Sequence, residues 1–250
     1  VRIATAGATE LHVTTSGTFN IKMASGTTGV VEGTGEGGQC HLKEHPVTLV
    51  VGNNILETED PTGHLVVTLT IGTAANWGDV NSWSAASGGA CTASIPTSAD
   101  NAYFNANSFT GASQVFTVAA TANCLSLDFT GATNTPTLTV SNQINVYGNA
   151  TTISAMSVSG VAFVFQGSTT NSLTSNGLNV AILIKLGGSY SGTMTLQDNL
   201  TCSEIQVLAG TFASGNKTIT TGSINDASSA TAKTLTLGSS VISCTAVSFP

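Results

Sequence analysis

Charge is what this chain has least of. Only 8 % of its 250 residues are Asp, Glu, Lys or Arg, against about 25 % in ordinary soluble domains. Lys and Arg together number six and the formal net charge is −7. A nucleic-acid partner is excluded on that ground, because such binding rests on Lys and Arg neutralising phosphates. Aromatics are also few, at 6 %. The long-chain residues that keep their rotamer freedom in helices are too scarce for a helical protein. No apolar run approaches the roughly 18 residues of a membrane span. The longest candidates, Val161–Phe165 and Val180–Ile184, fit single buried strands. Hydrophobic content is nevertheless ordinary at 41 %, which separates this composition from that of a disordered chain.

The remaining acids are unevenly placed. Glu10, Glu32, Glu36, Glu44, Glu57, Glu59 and Asp60 all precede residue 77, as do the four histidines. This shift is a candidate domain boundary. Five cysteines, Cys40, Cys91, Cys124, Cys202 and Cys244, show no CxxC spacing. A zinc or redox motif is therefore not expected, and buried free thiols acting as small hydrophobes are the favoured reading. A Cys40–Cys91 disulfide stays open. The start, Val1-Arg2-Ile3-Ala4, has neither an initiator Met nor a signal-peptide core, so a trimmed or partial chain is expected.

What the chain does contain is a grammar of short strands. Residues 1–73 alternate polar and apolar side chains in Leu11–Thr14, Phe19–Met23 and His64–Ile71, around the Gly-rich loop 33–38; this reads as a small β-rich module. Residues 74–112 hold both tryptophans, Trp77 and Trp83, and read as a cap or connector. From residue 113 to 250, strands recur at spacings of about 8–20 residues with Gly, Asn or Ser between them. Their uniform shortness and the rarity of edge-guarding Lys or Glu favour stacked coils over an open sandwich. The expected fold is all-β, a right-handed parallel β-solenoid behind the N-terminal module.

Candidate chemistry is thin. Trp77 and Trp83, with Tyr103 and Asp100, have the residue types of a sugar-stacking platform, although two tryptophans can equally plug the end of a solenoid core. Asp198 and Glu204 are the only acids after Trp77 that lie close together in sequence, and a glycosidase needs paired carboxylates. Asp198, in Gln197-Asp198-Asn199, is expected to bond backbone amides instead. Cys40, His41, Glu44 and His45 have metal-ligand chemistry, but a Gly-rich loop before them and Pro46 after them argue for a solvated loop. Thr137/Thr139, Thr193/Thr195, Thr218/Thr220 and Thr234/Thr236 are too unequally spaced for an ice-binding array. Three Asn-x-Thr sequons, at Asn149, Asn199 and Asn216, are read as chance in so Thr-rich a chain. No catalytic residue, metal ligand or cofactor is assigned.

The phrases Asn76-Trp77, Asn81-Ser82-Trp83-Ser84, Gly88-Gly89, Ile95–Ala106, Leu127–Ala132, Leu173–Gly177, Thr195–Thr201, Leu208–Phe212 and Thr234–Ser240, in this order, resemble a pattern found in long β-solenoid proteins. Those are phage tail or virion-fibre proteins and bacterial surface proteins. The resemblance covers roughly residues 74–250 and none of the first 73. It implies a non-enzymatic structural or adhesive shaft on the virion surface or outside the cell. It also implies a homo-oligomer, with a trimer as the first guess, that contacts other virion proteins and a host surface glycan. The alternative from another class is a surface carbohydrate-binding protein or a polysaccharide depolymerase that contacts its glycan through Trp77, Trp83 and Tyr103.

Overall fold

The computed structural model describes residues 75–79, 82–89, 93–109, 111–226 and 232–249 with their side chains, and before residue 75 the backbone of six strands. Those six strands pair only antiparallel. β1 (Arg2–Thr5), β2 (Leu11–His12), β4 (Gly29–Glu32) and β5 (Leu49–Val51) form one sheet in the order β2-β1-β4-β5. β3 (Thr18–Ala24) and β6 (His64–Thr70) form a two-stranded ribbon. Cys40, His41, Glu44, His45 and Cys91 lie outside the described residues.

From residue 75 the pairing becomes parallel and the chain winds into a β-solenoid of about six turns. Each turn contributes to two sheets. The first contains β7 (Ala75–Asn76), β9 (Val115–Val118), β10 (Ala122–Cys124), β12 (Thr137–Val146), β14 (Ser157–Phe165), β16 (Asn179–Leu186), β18 (Leu200–Val207), β20 (Ile219–Asn225), β22 (Ile242–Ser243) and β23 (Ala246–Ser248). The second contains β8 (Ala102–Tyr103), β11 (Leu127–Asp128), β13 (Ala150–Thr151), β15 (Asn171–Thr174), β17 (Thr193–Leu196), β19 (Gly210–Ala213) and β21 (Lys233–Thr236). From β8 onward, equivalent positions of neighbouring coils lie 18 to 25 residues apart, from Met194 and Phe212 at the short end to Ala102 and Leu127 at the long end.

The strand sequences explain both the stacking and the corners. In β12, Leu138, Val140, Ile144 and Val146 are buried, while Ser141 and Asn142 between them are exposed. Period-two burial therefore stops at Val140 and restarts at Gln143, where the register with β14 shifts. The strand bends there, and its two arms form two faces of the coil. β9 and β10, which are separate, pair with one arm each. Inward positions then line up from coil to coil. Ala122, Ile144, Phe163, Ile184, Ile205 and Ile224 make one continuous buried column. Burying each of the larger members contributes about 1.5–3 kcal/mol.

Turns between coils follow equally local rules. Asn176-Gly177 and Gly215-Asn216 all have positive φ, from 51° to 79°. The N–H of Leu178 bonds the carbonyl of Ser175 and that of Lys217 bonds Ser214. Two consecutive left-handed residues make a tight type I′ turn, which Asn and Gly enter at least cost.

Candidate functional site

The segment before the regular coils carries the aromatic residues. Trp77 follows β7, and its N–H bonds the carbonyl of Thr117. The two indoles meet edge to face, with centroids 5.0 Å apart. Both also pack on Phe104 and Phe116. Phe104 in turn stacks on Phe129 at 4.4 Å. Trp83 donates its Nε1–H to the carbonyl of Trp77 at 2.8 Å. Since β7 and β8 terminate the two sheets, this cluster fills the core at that end of the solenoid.

The consequence for sugar recognition is direct. Trp77 is 2 % exposed and Trp83 7 %, and their ring faces are spent on phenylalanines rather than presented to solvent. Of the three residues expected to contact a glycan, Tyr103 alone is open, at 60 % exposure. It borders a cleft of about 670 Å³ that the edge of Trp83, Asp100, Asn101 and Asn105 also line. The cleft therefore gathers Tyr103, Asp100 and the rim of Trp83, and leaves Trp77 out.

The cleft's carboxylate already has partners. Asp100 accepts the Thr97 hydroxyl at 2.6 Å and the Thr97 N–H at 3.0 Å, and the hydroxyl bond, then the amide bond, hold its pKa below the ordinary carboxylate value. It closes the 97–100 turn. Asn105 donates to Ser87 Oγ at 2.9 Å, and Asn107 donates to the same oxygen at 3.0 Å. These bonds tie the 82–89 loop to the 105–108 turn.

Asp198 and Glu204 are likewise engaged between coils. Asp198 accepts from the Ser175 N–H at 2.8 Å, from Ser175 Oγ at 3.1 Å and from the Asn176 N–H. Glu204 accepts from Asn225 Nδ2. Asp128 caps its own turn through the Thr130 N–H, and Asp226 pairs with Lys233. Among the described residues no group of three His, Cys, Asp or Glu is placed to hold a metal ion. No helix there is long and apolar enough to cross a membrane. Replacing Asp198 by Ala should cost about 1–3 kcal/mol, the penalty of orphaning the donors it satisfies. Asp198→Asn, which keeps one acceptor oxygen, should recover part of this in urea denaturation. Equal stability of all three proteins would show that the carboxylate has no structural role.

Sequence reasoning missed a column of polar residues at the coil corners. Ser175 Oγ donates to the carbonyl of Asn199 at 2.8 Å, Thr152 Oγ1 to that of Ser175 at 2.8 Å, and Ser214 Oγ to that of Leu237 at 2.9 Å. All three side chains are fully buried. The three sequon asparagines do similar work. Asn149, Asn199 and Asn216 accept the backbone N–H of Ser172, Thr218 and Ser239 respectively. Each bond reaches one coil onward, so these residues satisfy backbone groups at corners where strand pairing stops. The signal in the sequence was Asn, Ser or Thr recurring between strands at roughly the coil period.

Two of the three described thiols match the buried-hydrophobe reading. Cys124, Cys202 and Cys244 are free, the first two buried. Burial pushes the Cys124 pKa up to about 12 and that of Cys202 to about 11, so neither forms a thiolate near neutral pH. The Thr-x-Thr pairs divide between sheets. Thr137 and Thr139 lie in β12 of the first sheet, whereas Thr193, Thr195, Thr234 and Thr236 lie in the second.

These features define a parallel β-solenoid with an aromatic cluster at one end and polar ladders at its corners. No family model, no curated protein and no solved structure matches the chain.

Proposed function

We propose that this chain is a non-enzymatic structural component of a phage virion, a tail or head fibre or appendage. Its stiff solenoid would serve assembly or host adhesion as a homo-oligomer, with a trimer as the first arrangement to test. The observation that carries this reading is the unbroken run of core columns and corner hydrogen bonds from β9 to β20. Such a stack resists bending because each coil is bonded to the next through both sheets and at several corners. The sequence resemblance to virion-fibre solenoids supports the same conclusion. So does the engagement of the carboxylates of Asp100, Asp128, Asp198, Glu204 and Asp226 in local bonds.

A second reading, surface carbohydrate binding or depolymerisation, draws on the open Tyr103 beside the cleft. Antibody labelling of purified particles from the host tests the first reading, with label expected at a fixed appendage in defined copy number. Particles without label, together with release of reducing ends from host polysaccharide by the isolated protein, would overturn it in favour of the second.

A further inference from the structure

Asn176-Gly177 is the one Asn-Gly pair in the chain, and both residues are exposed at the tip of their turn. In such a pair the asparagine amide is open to attack by its own main chain, because glycine puts no Cβ beside the attacking nitrogen. The Gly177 nitrogen bonds to Asn176 Cγ, the Cγ–Nδ2 bond breaks, and ammonia leaves with the proton that Gly177 gives up. Water then opens the resulting five-membered imide at either carbonyl. One water is consumed and one ammonia released. Position 176 becomes a carboxylate on a normal or an isoaspartyl main chain.

The folded turn opposes the first of these steps at every atom involved. Asn176 has φ of 51°. In the left-handed conformation, with ψ of about +47°, the following nitrogen stands nearly opposite Cβ across the Cα–C bond. Closing the imide ring needs about half a turn around that bond, which would break the bond from the Leu178 N–H to the Ser175 carbonyl. The leaving group is held as well, since Asn176 Nδ2 donates to the Thr152 carbonyl of the preceding coil at 2.7 Å. The attacking nitrogen donates its proton to Ser175 Oγ at 3.3 Å.

The following coil completes the restraint. Asp198 accepts from the Ser175 N–H, from Ser175 Oγ and from the Asn176 N–H. Three successive coils, through Thr152, Asn176 and Asp198, therefore hold one amide in place. Gly215-Asn216 has the same pair of left-handed residues in reverse order. Asn216 is followed by Lys217, which puts a Cβ beside the attacking nitrogen, so this second turn is an internal comparison.

We infer that Asn176 is a deamidation site gated by the coil stack, unreactive while the contacts with Thr152 and Asp198 are closed and converted when they open. The conversion does not reverse. The new carboxylate cannot donate to the Thr152 carbonyl, and it adds negative charge beside Asp198. The isoaspartyl product also lengthens the main chain within a two-residue turn. Each opening that ends in reaction thus leaves three coils without their common clamp.

The full 250-residue chain is incubated at mildly alkaline pH with and without urea, then mapped by peptide mass spectrometry, which reads the exchange of NH2 for OH at each asparagine. In urea, Asn176 should convert faster than every other asparagine, Asn216 included, and Gly177→Ala should remove that lead. Without urea, conversion at Asn176 should be at least about tenfold slower, because it must wait for local opening. Asp198→Ala should raise that native rate about tenfold, as expected when the donors that Asp198 satisfies are orphaned. Circular dichroism checks that this variant is folded, and if it is not, Asp198→Asn should show a smaller rise in the same direction. Converted protein should also unfold at lower urea than unconverted protein. Equal rates at Asn176 with and without urea would overturn the gate, as would a folded Asp198→Ala protein that converts no faster than the unmutated one. No conversion at Asn176 in urea would overturn the site itself.

Discussion

Gly160→Ala should remove about 3–6 kcal/mol of stability, combining backbone strain with overpacking. That is enough to consume much of an ordinary folding free energy of about 5–15 kcal/mol. Gly160 lies in β14 with φ of 122°, a conformation that residues with a Cβ rarely adopt. A Cβ there would stand 2.0 Å from the carbonyl oxygen of Val140 and 2.6 Å from its carbonyl carbon. Both atoms are backbone of the preceding coil and cannot turn aside. The clash falls beside the bend, where the register between β14 and β16 shifts at Ser159/Ala162, so relief would require separating two coils.

Gly177→Ala is the control. Its φ of 79° is also positive, but nothing lies within 4 Å of the added carbon. It should cost only the left-handed penalty of about 1–2 kcal/mol. Urea denaturation followed by circular dichroism separates the two cases. A Gly160→Ala protein no less stable than Gly177→Ala would mean that the close approach of these coils is wrong.

The contrast between these glycines also indicates how much of the fold the sequence could express. Strand content and parallel stacking were legible, because alternation of side chains is a local property and coils of similar length repeat it. The corner at Ser141-Asn142 was not. A strand that bends leaves only three adjacent polar residues, Ser141-Asn142-Gln143, in an alternating run, and that trace also fits an ordinary turn. Asp198 was read correctly as an amide acceptor, since its turn-like neighbours gave the reason. That its partners lie a full coil back, at Ser175 and Asn176, depends on register, which no local pattern contains. The tryptophans show the same limit. Two indoles near one another signal an aromatic cluster, but whether their faces meet a sugar or a phenylalanine is decided by Phe104 and Phe116, up to 39 residues away from Trp77 in sequence. The candidate site was therefore only partly legible, through Tyr103 and Asp100.

Phe129→Ala should be the second severe substitution, costing about 3–5 kcal/mol as a large ring is deleted from a packed core. Phe129 is wholly buried and lies nearly parallel to Phe104, with an interplanar angle of 8°. Phe104 also contacts both indoles, so the cavity would open beneath the whole cluster. Phe104→Ala should cost a similar amount. The double variant should lose less than the two single losses added together, because each single change already breaks the shared stack, a pair worth about 0.5–1.5 kcal/mol beyond its buried area. Tyr103, adjacent to Phe104 but 60 % exposed, supplies the opposite expectation. Tyr103→Ala should change stability by no more than about 0.5 kcal/mol. If the cleft holds a glycan, that same variant should nevertheless lose binding on an array of host polysaccharides. Loss of binding at unchanged stability would shift the weight toward carbohydrate recognition at this end. Full stability with no binding in either protein leaves the aromatic cluster as the closure of a shaft. A marked loss of stability from Tyr103→Ala would contradict the division between plug and surface on which both readings depend.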